Sequence, residues 1–228
     1  MRKRLMVIAI AVGALFAGQA APAQAQSGRC TLRGSATILQ TPSVRIYAAA
    51  RRGDTLARVY GCLYSQNRRR FLGIEGDCDP GPTIDKLIVR GRYVAFVESL
   101  CNIDSSDDYV VVRDLRTGRN RFRAIAATGT PAENGEPSTL VEDLALATNG
   151  SVAWIGLWDS NSGGIDTPQP NDQYQVRKLD STSSGNTSTV LDSGLNIDPR
   201  SLGLSPRTSQ GAWIYWRKGD APFSARLQ

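Results

Sequence analysis

Four cysteines (Cys30, Cys62, Cys78 and Cys101) and several groups of closely spaced acids are the residues of this 228-residue chain whose types could do chemistry. Histidine is absent, which excludes Ser-His-Asp and Cys-His nucleophilic systems and every histidine-ligated metal. The serine nucleophile elbow is missing too. An enzyme built here would have to use carboxylates, Lys or Tyr, and no catalytic set is assigned.

Three acid groups stand out: Glu75, Asp77 and Asp79 around Cys78; Asp104, Asp107 and Asp108 after Cys101; and Asp159, Asn161 and Asp166 after Trp158. Alternating acids in a loop supply the hard oxygens that calcium takes, and Asp159-x-Asn161-x-Gly163-Gly164 has the form of the start of a calcium loop. The closing Glu is missing, because the twelfth position is Pro170. Turn chemistry, with side chains bonded to their own backbone, is the expected role of these acids. No cofactor is expected, and calcium at Asp159, Asn161 and Asp166 is the one candidate. Glu98 and Asp114 are the nominal pair for glycan hydrolysis, which needs two carboxyls about 5–10 Å apart.

The first residues have the three parts of an export signal: Arg2-Lys3-Arg4, an apolar stretch from Leu5 to Ala17, and small residues ending in Ala23-Gln24-Ala25. A signal peptide of residues 1–25 is expected, leaving 26–228 as a single secreted domain that begins at Gln26. The apolar stretch is shorter than the roughly 20 residues of a spanning helix, so no membrane span is expected. An even cysteine set without Cys-x-x-Cys spacing then reads as two structural disulfides.

Loss of residues 1–25 would lower the formal net charge from +6 to +3. Residues 26–125 carry +7 and residues 126–228 carry −4. The basic half includes Arg68-Arg69-Arg70 and the alternating Arg119, Arg121 and Arg123, which one strand would place on one face. Such a face is either a solvated surface or one that meets an acidic polymer or glycan. Nucleic acid is not an expected partner, because no reading helix or stacking platform is recognisable.

An internal repeat supplies the elements that must hold these residues. Leu87-Ile88-Val89 with Val94-Ala95-Phe96, Leu144-Ala145-Leu146 with Val152-Ala153-Trp154, and Leu202-Gly203-Leu204 with Gly211-Ala212-Trp213 each read as a hairpin. Their aromatics lie 58 and 59 residues apart. Alternating strands follow the first two, at Val110 to Asp114 and Tyr174 to Leu179, each leading through a turn to a further strand. A similar pair at Val44 to Tyr47 and Ala57 to Cys62 precedes them all. The order predicts a permuted repeat in which strands of 44–63 and 200–216 share one sheet. The hairpin turning at Arg90-Gly91-Arg92 brings Cys78 and Cys101 to its open end, which predicts the pairs Cys78–Cys101 and Cys30–Cys62.

Gly91-Arg92-Tyr93-Val94-Ala95-Phe96 and Asp114-Leu115-Arg116-Thr117-Gly118 resemble the blades of secreted β-propeller-like proteins related to WD-repeat and Tol-type propellers. The resemblance covers about residues 44–224. Trp158-Asp159 departs from it by falling in a loop, and only three units are found where propellers have at least four. It implies an all-β, antiparallel, β-propeller-like repeat of about three four-stranded sheets; a β-sandwich is the alternative.

Trp213 and Tyr215 fall on one strand face and Trp216 on the other. Core packing is expected of this set, while Trp158, beside a polar loop, is expected to be exposed and to form the binding surface with Arg119, Arg121 and Arg123. The expected function is a secreted, non-catalytic binding or scaffold module of the cell envelope or extracellular space. The alternatives are a carboxylate-dependent glycan hydrolase and a self-assembling structural protein, the last as a homo-oligomer. Carboxylates converging on one pocket would favour the enzyme, an exposed aromatic and basic surface would favour binding, and an unpaired strand edge would favour assembly.

Overall fold

The computed structural model describes residues 30–50, 56–76, 83–101, 105–131, 136–160, 171–206 and 211–228. Short runs of alternating apolar residues separated by Gly-containing turns produce an all-β fold. The first four strands, β1 (Ala36–Gln40), β2 (Val44–Ala49), β3 (Ala57–Leu63) and β4 (Arg68–Glu75), form an antiparallel meander. The second meander is β5 (Thr83–Arg90), β6 (Tyr93–Cys101), β7 (Ser106–Asp114) and β8 (Arg119–Ile125). The third is β9 (Ser138–Leu146), β10 (Val152–Asp159), β11 (Gln173–Leu179) and β12 (Thr189–Gly194).

Single parallel pairings, Ile74 with Thr83 and Asp107 with Thr139, join these three meanders into one 12-stranded sheet. The remaining strands, β13 (Gly203–Leu204), β14 (Ala212–Lys218) and β15 (Ala221–Leu227), form a separate three-stranded sheet. Positive φ is needed where the hairpins reverse, and Gly91 (φ 60°) and Gly150 (φ 88°) supply it. At the second turn Asn149 also accepts a hydrogen bond from the Ser151 amide.

Apolar contacts link each unit to the next in chain order. Val44, Ile46, Val59 and Leu72 pack with Val94, Phe96 and Val111 between the first and second meanders. Val97, Val110, Val112 and Phe122 meet Val152 and Trp154 between the second and third. Ala153, Ile155 and Val176 meet Ala212, Ile214, Trp216 and Leu227 between the third and the small sheet. The first strands of the first three units each carry a one-residue bulge, at Ile38, Lys86 and Glu142.

Two expectations about the repeat are corrected. Residues 44–63 lie in the large sheet and 203–216 in the small one, so the two ends do not share a sheet. The N-terminal unit is a full meander instead of a half, and the C-terminal unit has three strands of its own. The residues that hid these strands are polar or imino. In β4, Arg68 and Arg69 are exposed, and Arg70 donates to the Leu115 and Arg116 carbonyls. In β15, Pro222 is tolerated because the strand is an edge.

Candidate binding face

Trp158, expected to be exposed, is 8% exposed. Trp154, Gly156 and Trp158 lie on one face of β10, and the chain leaving β8 crosses that face. The Trp154 indole donates to the Ala126 carbonyl at 2.7 Å, Gly129 lies against the Trp158 ring, and Trp158 Nε1 donates to the Thr130 carbonyl at 3.3 Å. Spacing within β10 carries no information about this covering segment.

The alternating arginines are mostly engaged. Arg123 pairs with Glu98 at 2.7 Å and stacks over the Tyr109 ring at 3.6 Å. Arg121 donates to Tyr93 Oη and to the Ser181 carbonyl, tying β8 to the third meander. Arg119 stays exposed at the start of β8. Trp158 and these three arginines therefore do not make one surface.

Of the candidate calcium ligands, Asp159 is a buried residue at the end of β10; Asn161 and Asp166 lie outside the described residues. Cys30 and Cys62 form a disulfide with Cα atoms 5.4 Å apart. Cys101 is disulfide-bonded as well; Cys78 lies outside the described residues.

Glu98 and Asp114 cannot work as a pair. On the β6–β7 ladder Glu98 stands opposite Tyr109 and Asp114 opposite Tyr93, a separation of five residues, or roughly 17 Å. Each has a cation beside it, Arg123 for Glu98 and Arg92 at 3.3 Å for Asp114.

Two acids, Asp108 buried and Asp143 half-buried, fasten the units together. Asp108 accepts from Ser99 Oγ and from the Val141 amide across the β7–β9 junction, and Asp143 accepts from the Leu144 and Leu202 amides, holding the lead-in to the small sheet. Burial raises both carboxyls above their ordinary range, against the lowering effect of these hydrogen bonds. A cavity of about 250 Å³ among Arg90, Leu146, Thr148, Leu204 and Pro206 has no acid among its described lining residues. A second, of about 290 Å³ between β1 and β5, has Glu75 and Asp85, and both Asp85 oxygens are engaged by Lys86 through its amide and its ammonium.

An open aromatic face lies on the small sheet. Along β14, Ala212, Ile214 and Trp216 point into the core, and Trp213, Tyr215 and Arg217 point out. Cross-strand pairing places Arg226 beside Trp213, Ser224 beside Tyr215 and Pro222 beside Arg217. On the other flank Gly203 faces Tyr215, so no side chain rises over that ring. Trp213 is 37% exposed and Tyr215 45%. Among its described residues the face has two arginines and no acid; Asp220, in the β14–β15 turn, approaches Arg217 at 4.0 Å.

Trp216 behind this face is locked. It stacks on Phe223 with centroids 6.0 Å apart and donates to Asp192 Oδ2 at 2.9 Å, while Lys218 takes Oδ1 at 2.7 Å. Burial raises the Asp192 carboxyl, but hydrogen bonds from Lys218, Trp216 and the Ser193 amide outweigh it and hold the group below its usual range. The platform thus has a rigid floor.

The expectation that this set packs in the core holds for Trp216 and fails for Trp213 and Tyr215. The signal was the alternation itself: a sheet at the end of a repeat has one neighbour, so only one of its faces can be covered. No protein-family model matches the chain, and no curated protein does.

Proposed function

We propose that this chain is an exported, non-catalytic binding or scaffold module of the cell envelope or extracellular space, with propeller-like stacked sheets that present an aromatic, arginine-flanked face to an acidic glycan. The observation that carries this is the outward pair Trp213 and Tyr215 between Arg217 and Arg226. Flat rings with a polar edge suit sugar faces, and guanidinium groups suit carboxylates and sulfates. The signal-like residues 1–25 and the Cys30–Cys62 disulfide support export.

Self-assembly is less well supported. The outer faces of the first and last units both carry arginines and no Asp or Glu among their described residues, so stacking one molecule on the next would oppose like charges.

A binding screen of the secreted protein against neutral and acidic polysaccharides tests the proposal. Binding to acidic chains, weakened by salt and reduced in the double variant Trp213→Ala/Tyr215→Ala, is expected. Binding that survives that variant unchanged would remove the face from the function. Intact-mass measurement tests export: the secreted product should begin at Gln26.

A further inference from the structure

Resting on the glycan-binding role of the Trp213 face, we propose that the outer face of the first meander is a second site for the same ligand class, an anionic glycan. Tyr60 and Phe71 form its stacking surface and Arg69 its cationic contact, so one molecule engages two glycan segments.

The outer face of this sheet differs in kind from the faces between units. Between units the side chains are mainly Val, Ile, Leu, Ala and Phe, with Tyr93 and Trp154 among them, and most are buried. On the outer face, cross-strand pairs align Tyr47 with Tyr60 and Tyr60 with Phe71, and flank them with Arg45, Cys62 and Arg69. The rings form a continuous ladder: Tyr47 and Tyr60 stack at 5.6 Å, and Phe71 meets Tyr60 edge-on at 5.7 Å. Phe71 is 47% exposed although it sits in mid-strand, where a large apolar ring is ordinarily covered. The Arg69 guanidinium lies 5.7 Å from the Tyr60 centroid and is exposed.

The ladder is braced from behind, which cuts the ordering cost of binding. Tyr47 is fully buried, and Arg45 covers its ring at 4.8 Å while donating to the Cys30 carbonyl, Thr37 Oγ1 and Ser35 Oγ. The Cys30–Cys62 disulfide closes the same corner. Tyr47 Oη is buried, with the Arg69 guanidinium beside it. A second copy of the chain does not fit, because its end faces are cationic too.

The test is calorimetric titration of the full secreted protein with a heparin-derived hexasaccharide, with cellohexaose and phosphatidylglycerol vesicles as comparators. Two hexasaccharides per protein are expected, with weak or no binding of cellohexaose. The variant Arg69→Gln/Phe71→Leu, which keeps apolar volume on the ladder, should lower the stoichiometry to one and leave the other site within about twofold. Adding Trp213→Ala/Tyr215→Ala should abolish binding. Unchanged circular dichroism and melting would show that each variant is folded. A wild-type stoichiometry of one that Arg69→Gln/Phe71→Leu leaves unchanged overturns the second site and spares the first. No hexasaccharide binding by the wild type, or vesicle binding in its place, overturns both.

Discussion

Gly156 and Ala126 meet backbone to backbone: a Cβ built on Gly156 would stand 2.1 Å from the Ala126 carbonyl oxygen, the same oxygen to which Trp154 donates at 2.7 Å. This contact pins the segment after β8 onto the second hairpin of the repeat and buries Trp158 beneath it. Gly156→Ala should therefore push backbone away from backbone and break the Trp154 hydrogen bond. A loss of about 3 kcal/mol or more is expected in urea unfolding. Trp158 fluorescence should shift to the red as its cover lifts.

The Cys30–Cys62 bridge closes a loop over a sequence separation of 32 residues. By the chain-entropy estimate it stabilises by about 3–4 kcal/mol. Replacing both cysteines by Ser should lower stability by about that amount. It should also loosen Arg45 and Tyr47, since Arg45 is anchored on the Cys30 carbonyl. Amide exchange in β2 and β3 should rise more than in β10.

Three carboxyls set a pH dependence whose sign can be worked out. Asp108 and Asp143 are raised by burial. Between the unfolded value of about 3.9 and their folded values, the native state holds more protons than the unfolded chain. Their contribution is full below about pH 3.9 and is lost as pH rises through the folded values. Asp192 is lowered, so its contribution is present above about pH 3.9 and is lost as pH falls through its folded value. These three groups together favour a stability maximum near about pH 4. Urea midpoints measured from pH 3 to 7 should fall on the alkaline side, and Asp143→Asn should flatten that limb. An unchanged slope in this variant would mean that Asp143 titrates alike in both states.

Trp213 and Trp216 stand three residues apart on opposite faces of β14 and should respond oppositely. Trp213→Ala should change stability by less than about 1 kcal/mol, because the ring is 37% exposed. Trp216→Ala should cost about 3–5 kcal/mol, because it empties a core position and leaves Asp192 without one of its donors. A thermal melt of the two variants separates platform from core.

Local pattern made the all-β class, the hairpins and their spacing legible, because a strand's alternation and a turn's glycine are written within a few residues of each other. The hairpin around Gly91 showed why: the short apolar runs Leu87 to Val89 and Tyr93 to Val97 flank a turn in which Gly91 supplies the positive φ. The pairing Cys30–Cys62 was reached by elimination, once the hairpin geometry had set Cys78 beside Cys101. Strands whose pattern is interrupted, β4 by its arginines and β15 by Pro222, were not legible, and with them the make-up of both end units was misjudged.

The candidate site was legible in composition and not in place. Alternation alone put Trp213 and Tyr215 on one face and Trp216 on the other, and the structure retains that division. Which face met solvent depended on whether another sheet lay against it, a relation between segments far apart in the chain. Trp158 gives the converse case: its polar neighbours suggested exposure, but Gly129 and Thr130, nearly 30 residues earlier, cover it. Periodicity assigns a residue to a face; tertiary packing decides whether that face is core or surface, because burial is settled by what comes to lie against it.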